Sequence, residues 1–276
     1  MPFHLIPRAA ATRACRFLVK PSAGSAMAAT CRLSAVFLLA CASGKGAQDS
    51  TTATIRTSTM QAAQESNKLT DAERRDGWRL LFDGTSLDGW RQYQADSVPT
   101  AWRVIDGAIA KNVGTRDIIT RDQFGDFELS FDWKVATGGN AGVFYRATEE
   151  YERVYWSAPE YQLLDDPNAG AEGSGDRLRA AGSAYGLYSS PSGILKAANE
   201  WNTARIVALG GHIEHWLNGT KLLEYEAWSP EWEAKVKASK FNDWPNYGRA
   251  KRGHIGLQGD HRGDLALRNI RIRELR

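Results

Sequence analysis

Over residues 126–135, DFELSFDWKV, apolar and polar side chains alternate without a break. Phe127, Leu129, Phe131, Trp133 and Val135 fall on one face, and Glu128, Ser130, Asp132 and Lys134 on the other. A period of two is the pattern of a strand with one buried face, and no helix satisfies it. The same grammar runs from Trp78 to the end of the chain, in short pieces separated by turn residues. Asp106-Gly107 and Asn218-Gly219 each sit between two such pieces and predict hairpins. Further Asp-Gly turns follow Asp83 and Asp88. The apolar phase slips between Leu267 and Ile270, which predicts a bulge. One inserted helix is expected in SPEWEAKVKASKF, with Ser229 as its cap, Pro230 in its first turn and Glu231 and Glu233 near its positive end. Thr70 caps at most one further turn. The fold class is therefore all-β, an antiparallel β-sandwich with one short inserted helix.

The chain before this region reads differently. All 10 Trp lie at or after Trp78, so the folded mass lies there. Residues 1–41 carry basic residues and then a short apolar run, Leu33 to Ala40, too short to span a bilayer and suited to an export signal. Leu38 to Cys41, LLAC, resembles the lipobox in which Cys41 is lipidated and becomes the first mature residue; the alternative is a plain export signal cut nearby, with the cysteine incidental. Residues 42–70 are small and polar without apolar periodicity, and are expected to act as a flexible tether. Residues 71–276 form the sandwich domain. The expected location is outside the cytoplasm, as a periplasmic or cell-surface lipoprotein whose only membrane contact is that lipid. Cys15, Cys31 and Cys41 are the only cysteines, which leaves the domain without thiolate chemistry or Cys-ligated zinc. A net charge of +3 with no clustered basic stretch argues against a nucleic-acid partner.

No P-loop, dinucleotide fingerprint, zinc-protease motif or nucleophile elbow is present. The informative polar residues are dispersed through the strands. In APEYQLLDD, residues 158–166, Glu160 and Gln162 share a face while Tyr161, Leu163 and Asp165 share the other. Beside Arg146 they would line a groove on an outer sheet face, or else form a solvated face with a structural ion pair. His215 shares a face with Ile213 and Leu217, where a histidine packed in the core is the plainer reading. Gln258 and His261 lie at the end of a strand, and Asp260 beside His261 would orient the imidazole or help ligate a metal. Most Trp are expected in the core. Trp156 and Trp244 occupy loops and are the better candidates for a binding wall.

Taken in order, LLFDGTSLDGW, DFELSFDWKV, GGNAGVFYR, PEYQLLDD, YGLY, EWNTARIV, HIEHWLNG, HIGLQGDHRG and RNIRIREL resemble the 3-keto-disaccharide hydrolase family over about residues 76–275. That resemblance implies a concanavalin A-like lectin/glucanase sandwich of jelly-roll type and an enzyme cleaving 3-keto-disaccharides or 3-keto-glucosides. It implies Glu160, His261 and His215 as catalytic residues. It implies Arg146, Gln162, Asp165, Tyr188, Lys196 and Gln258 as substrate-binding, beside the Trp156 already expected there from its loop. Oxidation at C3 acidifies the C2 hydrogen, so the group on C1 leaves by elimination and water adds back. Such chemistry needs a base near C2, a cation or donors at the C3 oxygen, and an acid for the leaving oxygen. His261 or Glu160 would be the base; Arg146, Lys196 or a divalent metal ion would hold the enediolate; His215 or Tyr188 would serve the leaving group. No other cofactor is implied. Two departures matter: KAANEWN alters the turn after Lys196, and the extra Gly259 in LQGDHRG shifts Asp260 and His261 by one position, enough to turn the imidazole to the other side of the strand. The alternative is a non-catalytic carbohydrate-binding module at the cell surface, or a sandwich serving only protein contact there.

Overall fold

The alternating segments pair into two antiparallel sheets in the computed structural model, which describes residues 66–168 and 175–276. Along the larger sheet the order is β11 (Thr220–Glu226), β10 (His212–Leu217), β9 (Asn202–Leu209), β6 (Phe127–Val135), β13 (Leu265–Glu274), β4 (Ala108–Lys111) and β3 (Arg103–Ile105). β1 (Arg79–Leu80) also pairs with β13. The smaller sheet runs β2 (Trp90–Gln92), β5 (Ile118–Thr120), β12 (His254–Leu257), β7 (Asn140–Ala147) and β8 (Glu160–Leu164). The export signal, Cys41 and all but the end of the expected tether lie outside the described residues.

The apolar faces of the two sheets meet. Phe127, Leu129, Phe131 and Trp133 of β6 are fully or almost fully buried, as are Tyr161 and Leu163 of β8. Phe131 and Tyr161 meet edge to face with ring centroids 5.8 Å apart, the geometry an aromatic quadrupole favours. The Tyr161 hydroxyl then donates to the carbonyl of Trp216 in the opposite sheet at 2.9 Å. The expected hairpins form at Asp106-Gly107 and Asn218-Gly219, and the expected bulge in β13 falls between Arg268 and Arg271.

The outer face of the smaller sheet is not left to solvent. Residues Val154 to Ala158 fold across it and bury Tyr93, Ile119, Phe144 and Ala147 in a second apolar cluster. Every residue of β8 is consequently buried, on both faces. A second bulge lies in β7. His254 pairs with Ala147 but Gly256 with Phe144, so Tyr145 and Arg146 together oppose one residue of β12. Arg146 takes φ +53° there.

Two helices complete the described fold, each starting as the sequence predicts. α1 (Asp71–Arg75) opens with a capping box between Thr70 and Glu73. α2 (Pro230–Ala238) opens with the Ser229 hydroxyl accepting from Trp232 N–H. The packed chain reaches back beyond the expected boundary at residue 70. Asn67 is buried, its N–H donates to Asn269 Oδ1 at 2.6 Å, and Asn269 N–H returns the bond to Asn67 Oδ1 at 2.8 Å.

Candidate active site

Beyond the apolar cluster, the outer face of the smaller sheet becomes polar. The alternation of β8 turns Glu160 and Gln162 outward, onto the face of β7 that carries Asn140 and Gly142, with Gly142 directly opposite Gln162. The Glu160 carboxyl occupies the space above Gly142, and a Cβ at that glycine would collide with it. Gln162 Nε2 donates to Asn140 Oδ1 at 2.9 Å. Gln258, just past β12, donates its N–H to Gly142 O at 2.9 Å, while its side-chain Oε1 is buried with no hydrogen-bond partner. Tyr155, Tyr185, Lys240, Asp260 and His261 close the remaining sides of a cavity of about 200 Å³.

The floor of this cavity is electrically unusual. Burial pushes the Glu160 carboxyl up to about 8; Lys240 opposes that shift, and Asp117 and Asp260 add to it. No hydrogen bond or ion pair reaches the Glu160 carboxyl among the described residues. Lys240 follows α2 in a short 3₁₀ turn, Lys240–Asp243. Its ammonium lies over the rings of Tyr185 at 4.5 Å and Tyr155 at 5.7 Å. Burial lowers its pKa, with the Glu160 carboxyl as the main opposing influence. A carboxyl that resists ionisation sharing a cavity with an amine that resists protonation is an arrangement found where protons are moved.

The loop carrying His261 is anchored from below. Gly259 N–H donates to Asp117 Oδ1 at 2.7 Å, and Gly259 O accepts from Thr115 N–H at 2.8 Å. A Cβ at residue 259 would run into the Arg116 carbonyl, so the close approach requires glycine. Lys111, itself buried between the sheets, donates its ammonium to His261 O at 2.6 Å. The extra Gly259 therefore does not turn His261 away: the imidazole lines the cavity, with Nε2 at 3.7 Å from Asp260 Oδ1.

Glu160, Gln162, Gln258 and His261 are thus brought together as the sequence predicts, and six other candidates are not. The β7 bulge takes Arg146 out of the outer face. Its guanidinium reaches the larger sheet, donating to Gly125 O and Gly210 O and pairing with Asp126 at 2.9 Å. His215 faces the core, completely buried, bonded to the Tyr145 hydroxyl at 3.1 Å and the Gly182 carbonyl at 3.0 Å. Burial lowers it to about 4, although the Gly182 carbonyl favours its proton. Asp165 has the opposite parity to Glu160 and caps a turn, accepting from Gly138 N–H and Asn168 Nδ2. Tyr188 stacks on Tyr225 with centroids 4.4 Å apart. Lys196 is exposed and donates to Trp201 O at 2.8 Å. Trp156 stacks on Trp244 at 5.0 Å, and its neighbour Tyr155 lines the cavity instead.

Sequence reasoning missed Lys240, Asn140, Tyr155 and Tyr185. Lys240 reads as the basic end of a helix, because nothing local reveals that this helix is packed beside the sheet. Among the described residues one His/Glu group gathers ligand atoms closely enough for a metal ion, His212, Glu214 and Glu224. It lies on the larger sheet, away from the Glu160 cavity. Lys221 and Trp216 already occupy the Glu214 carboxylate, so this group does not fit the divalent ion considered for the enediolate.

A family described as the 3-keto-alpha-glucoside-1,2-lyase-like domain matches residues 77–273. A Bacteroides thetaiotaomicron protein named 3-keto-disaccharide hydrolase is 34% identical over 89% of this chain and 97% of its own. A crystal structure from Parabacteroides distasonis, described as a candidate glycosyl hydrolase, superposes with a TM-score of 0.72 at 31% identity, covering 77% of this chain and all of the other. A second from that organism, similarly described, has a TM-score of 0.56 at 28% identity, covering 72% of this chain and 99% of the other.

Proposed function

The chain belongs to the 3-keto-alpha-glucoside-1,2-lyase-like family of enzymes, and from that premise we propose that it cleaves the glycosidic bond of 3-keto-glucosides in the Glu160 cavity. The observation that carries this reading is the buried, unpartnered Glu160 carboxyl facing Lys240, with His261 on the same cavity. Enolisation next to a ketone needs a base and a cation directed at one substrate; buried Glu160 supplies the first, and Lys240, exposed at the rim of the same cavity, supplies the second.

In this reading the ionised Glu160 takes the C2 proton. The electron pair moves toward the C3 carbonyl oxygen, whose growing negative charge is met by the Lys240 ammonium. The C1–O bond then breaks, and His261, steadied by Asp260, protonates the departing oxygen. The product is a 1,2-unsaturated ketone. Water adds its oxygen to C1 and gives a proton back to His261, while Glu160, its proton exchanged with solvent, protonates C2, so the net change is hydrolysis. Gln258 Oε1 accepts a bond from a sugar hydroxyl, and Gln162, oriented by Asn140, offers its remaining N–H. A sugar-binding module without catalysis would instead present open aromatic platforms. The loop pair best suited to that, Trp156 and Trp244, stack on each other.

The test is incubation with 3-keto-trehalose, 3-keto-lactose and the unoxidised parent sugars in deuterated water. Cleavage of the keto forms alone, with deuterium at C2 of the product, is expected. Cleavage of the parents at equal rate, or cleavage without C2 deuterium, would refute the elimination route. We further propose that the enzyme acts after export, anchored through Cys41. A Cys41→Ser variant is then expected to lose fatty-acid labelling and leave the membrane fraction.

A further inference from the structure

Asp260 lines a second cavity as well as the first. This second space, of about 120 Å³, is bounded by Tyr93, Thr115, Arg116, Asp117, Glu152 and Arg153 as well as Asp260. We propose that it is the subsite for the leaving ring of a disaccharide, an uncharged hydroxyl-rich sugar whose bond to the keto ring lies at the Asp260 boundary. The inference rests on the reading of the Glu160 cavity as the cleavage site.

The residue pointing to a ligand here is Asp117. It is more than nine-tenths buried, and only Oδ1 has a hydrogen-bond partner among the described residues, the N–H of Gly259. Oδ2 has none and is available to a hydroxyl donor. Burial pushes this carboxyl up to about 6, with Asp260 adding to the effect and Arg153 and Arg116 opposing it. Oδ2 opens to the cavity that Asp117 lines, and a sugar hydroxyl is a donor of the right kind to take the place of solvent there.

The surrounding charges select against other ligands. Arg116 makes no hydrogen bond or ion pair with its side chain among the described residues, and Arg153 meets Glu152 only at 3.9 Å. These two guanidinium groups face three carboxyls, Asp117, Glu152 and Asp260. Donors and acceptors are therefore interleaved. That suits neither a strong anion nor a cation, but it suits a ring carrying both donors and acceptors on every carbon. An aromatic leaving group would need a flat ring to lie on, and Tyr93, the one aromatic wall, is buried with its hydroxyl donating to Tyr151 O at 2.6 Å. Each cavity alone is below the roughly 300–1,000 Å³ of a typical ligand site, and only the two together enter that range.

The purified protein should be given a 3-keto-disaccharide and the methyl 3-keto-glucoside of the same anomeric configuration. The expected result is a kcat/KM preference for the disaccharide that falls about tenfold in both Asp117→Asn and Arg116→Ala, the size of one lost hydrogen bond to a charged group in a specificity ratio. The amide introduced by Asp117→Asn keeps an acceptor for Gly259 N–H, and Arg116 is exposed. Both variants are therefore expected to fold, which circular dichroism checks. Equal kcat/KM for the two substrates in the wild type overturns the inference, as does a proportionate loss on both in the variants. Cleavage of neither substrate removes the cleavage-site reading itself and is recognised by the absence of any rate to compare.

Discussion

Glu160 lies across Gly142, one strand away, in space that only a residue without a side chain leaves free. The backbone of Gly142 is otherwise ordinary, without a positive φ. Alanine there would be acceptable to the strand and unacceptable to the carboxyl. Gly142→Ala is expected to lower kcat/KM by about 10²-fold, the effect of misplacing a reacting group by roughly an ångström. Steady-state kinetics beside thermal unfolding will separate this from loss of fold; a wild-type rate would mean that the position of Glu160 is immaterial.

Removing the charge itself should move activity and stability in opposite directions. The folded protein holds the Glu160 proton up to about 8, whereas the ordinary glutamate value is 4.5. Between these values the unfolded chain has lost the proton and the folded one has not, so stability declines as pH rises and reaches its floor above about pH 8. Glu160→Gln cannot ionise. It is expected to lose at least about 10²-fold in kcat and to unfold at a higher temperature than the wild type, the gap widening from pH 5 to pH 8. A variant with full activity, or one less stable at pH 8, contradicts the assigned role.

The same group shapes the pH dependence of the free enzyme. A base that must be ionised makes kcat/KM climb with pH until its pKa is passed. The climb is expected to approach tenfold per pH unit and to level off near pH 8, where Lys240 restrains the shift and Asp117 and Asp260 extend it. A profile that is flat between pH 6 and 8 would point to a different base.

In the proposed route Lys240 acts on both the base and the enolate. Lys240→Met is expected to reduce kcat by about 10²–10³, the loss seen when one preorganised charge partner is removed from a developing oxyanion. It should also move the levelling point of the pH profile upward, because the cation opposing the Glu160 shift has gone. A fall in rate without that displacement would leave Lys240 a packing role only.

Much of this architecture is visible in the chain before any coordinates. Period-two alternation in β6, the Asn218-Gly219 hairpin, the β13 bulge and the caps at Thr70 and Ser229 are local properties, and all are found where the residues place them. Glu160, Gln162 and Gln258 share a wall for the same reason, since strand parity is local as well. Arg146 shows where that reasoning ends. Counted by twos it faces the cavity, but the Tyr145–Arg146 bulge breaks the count, and no residue nearby announces a bulge at an arginine. Lys240 and Asp117 show the complementary limit. Their roles depend on which loop roofs which sheet, and that is decided by packing between segments distant in sequence. The burial that raises Glu160 has the same origin, because the cover over the outer face of the smaller sheet comes from other parts of the chain.

The reciprocal bonds between Asn67 and Asn269 have a mechanical meaning. Asn67 also donates its side-chain Nδ2 to Gly107 O, and Asn269 donates to Asp132 Oδ2 at 2.7 Å. Traction on the chain ahead of residue 67 would thus be received by β13 and spread to β4 and β6, the strands beside it in the larger sheet. Glu160 and Gln162 sit on the smaller sheet, on the far side of the apolar layer. A tug at the N-terminal end would be borne first by the frame of the molecule and would reach the Glu160 cavity only through Lys111 of β4 and its bond to His261 O.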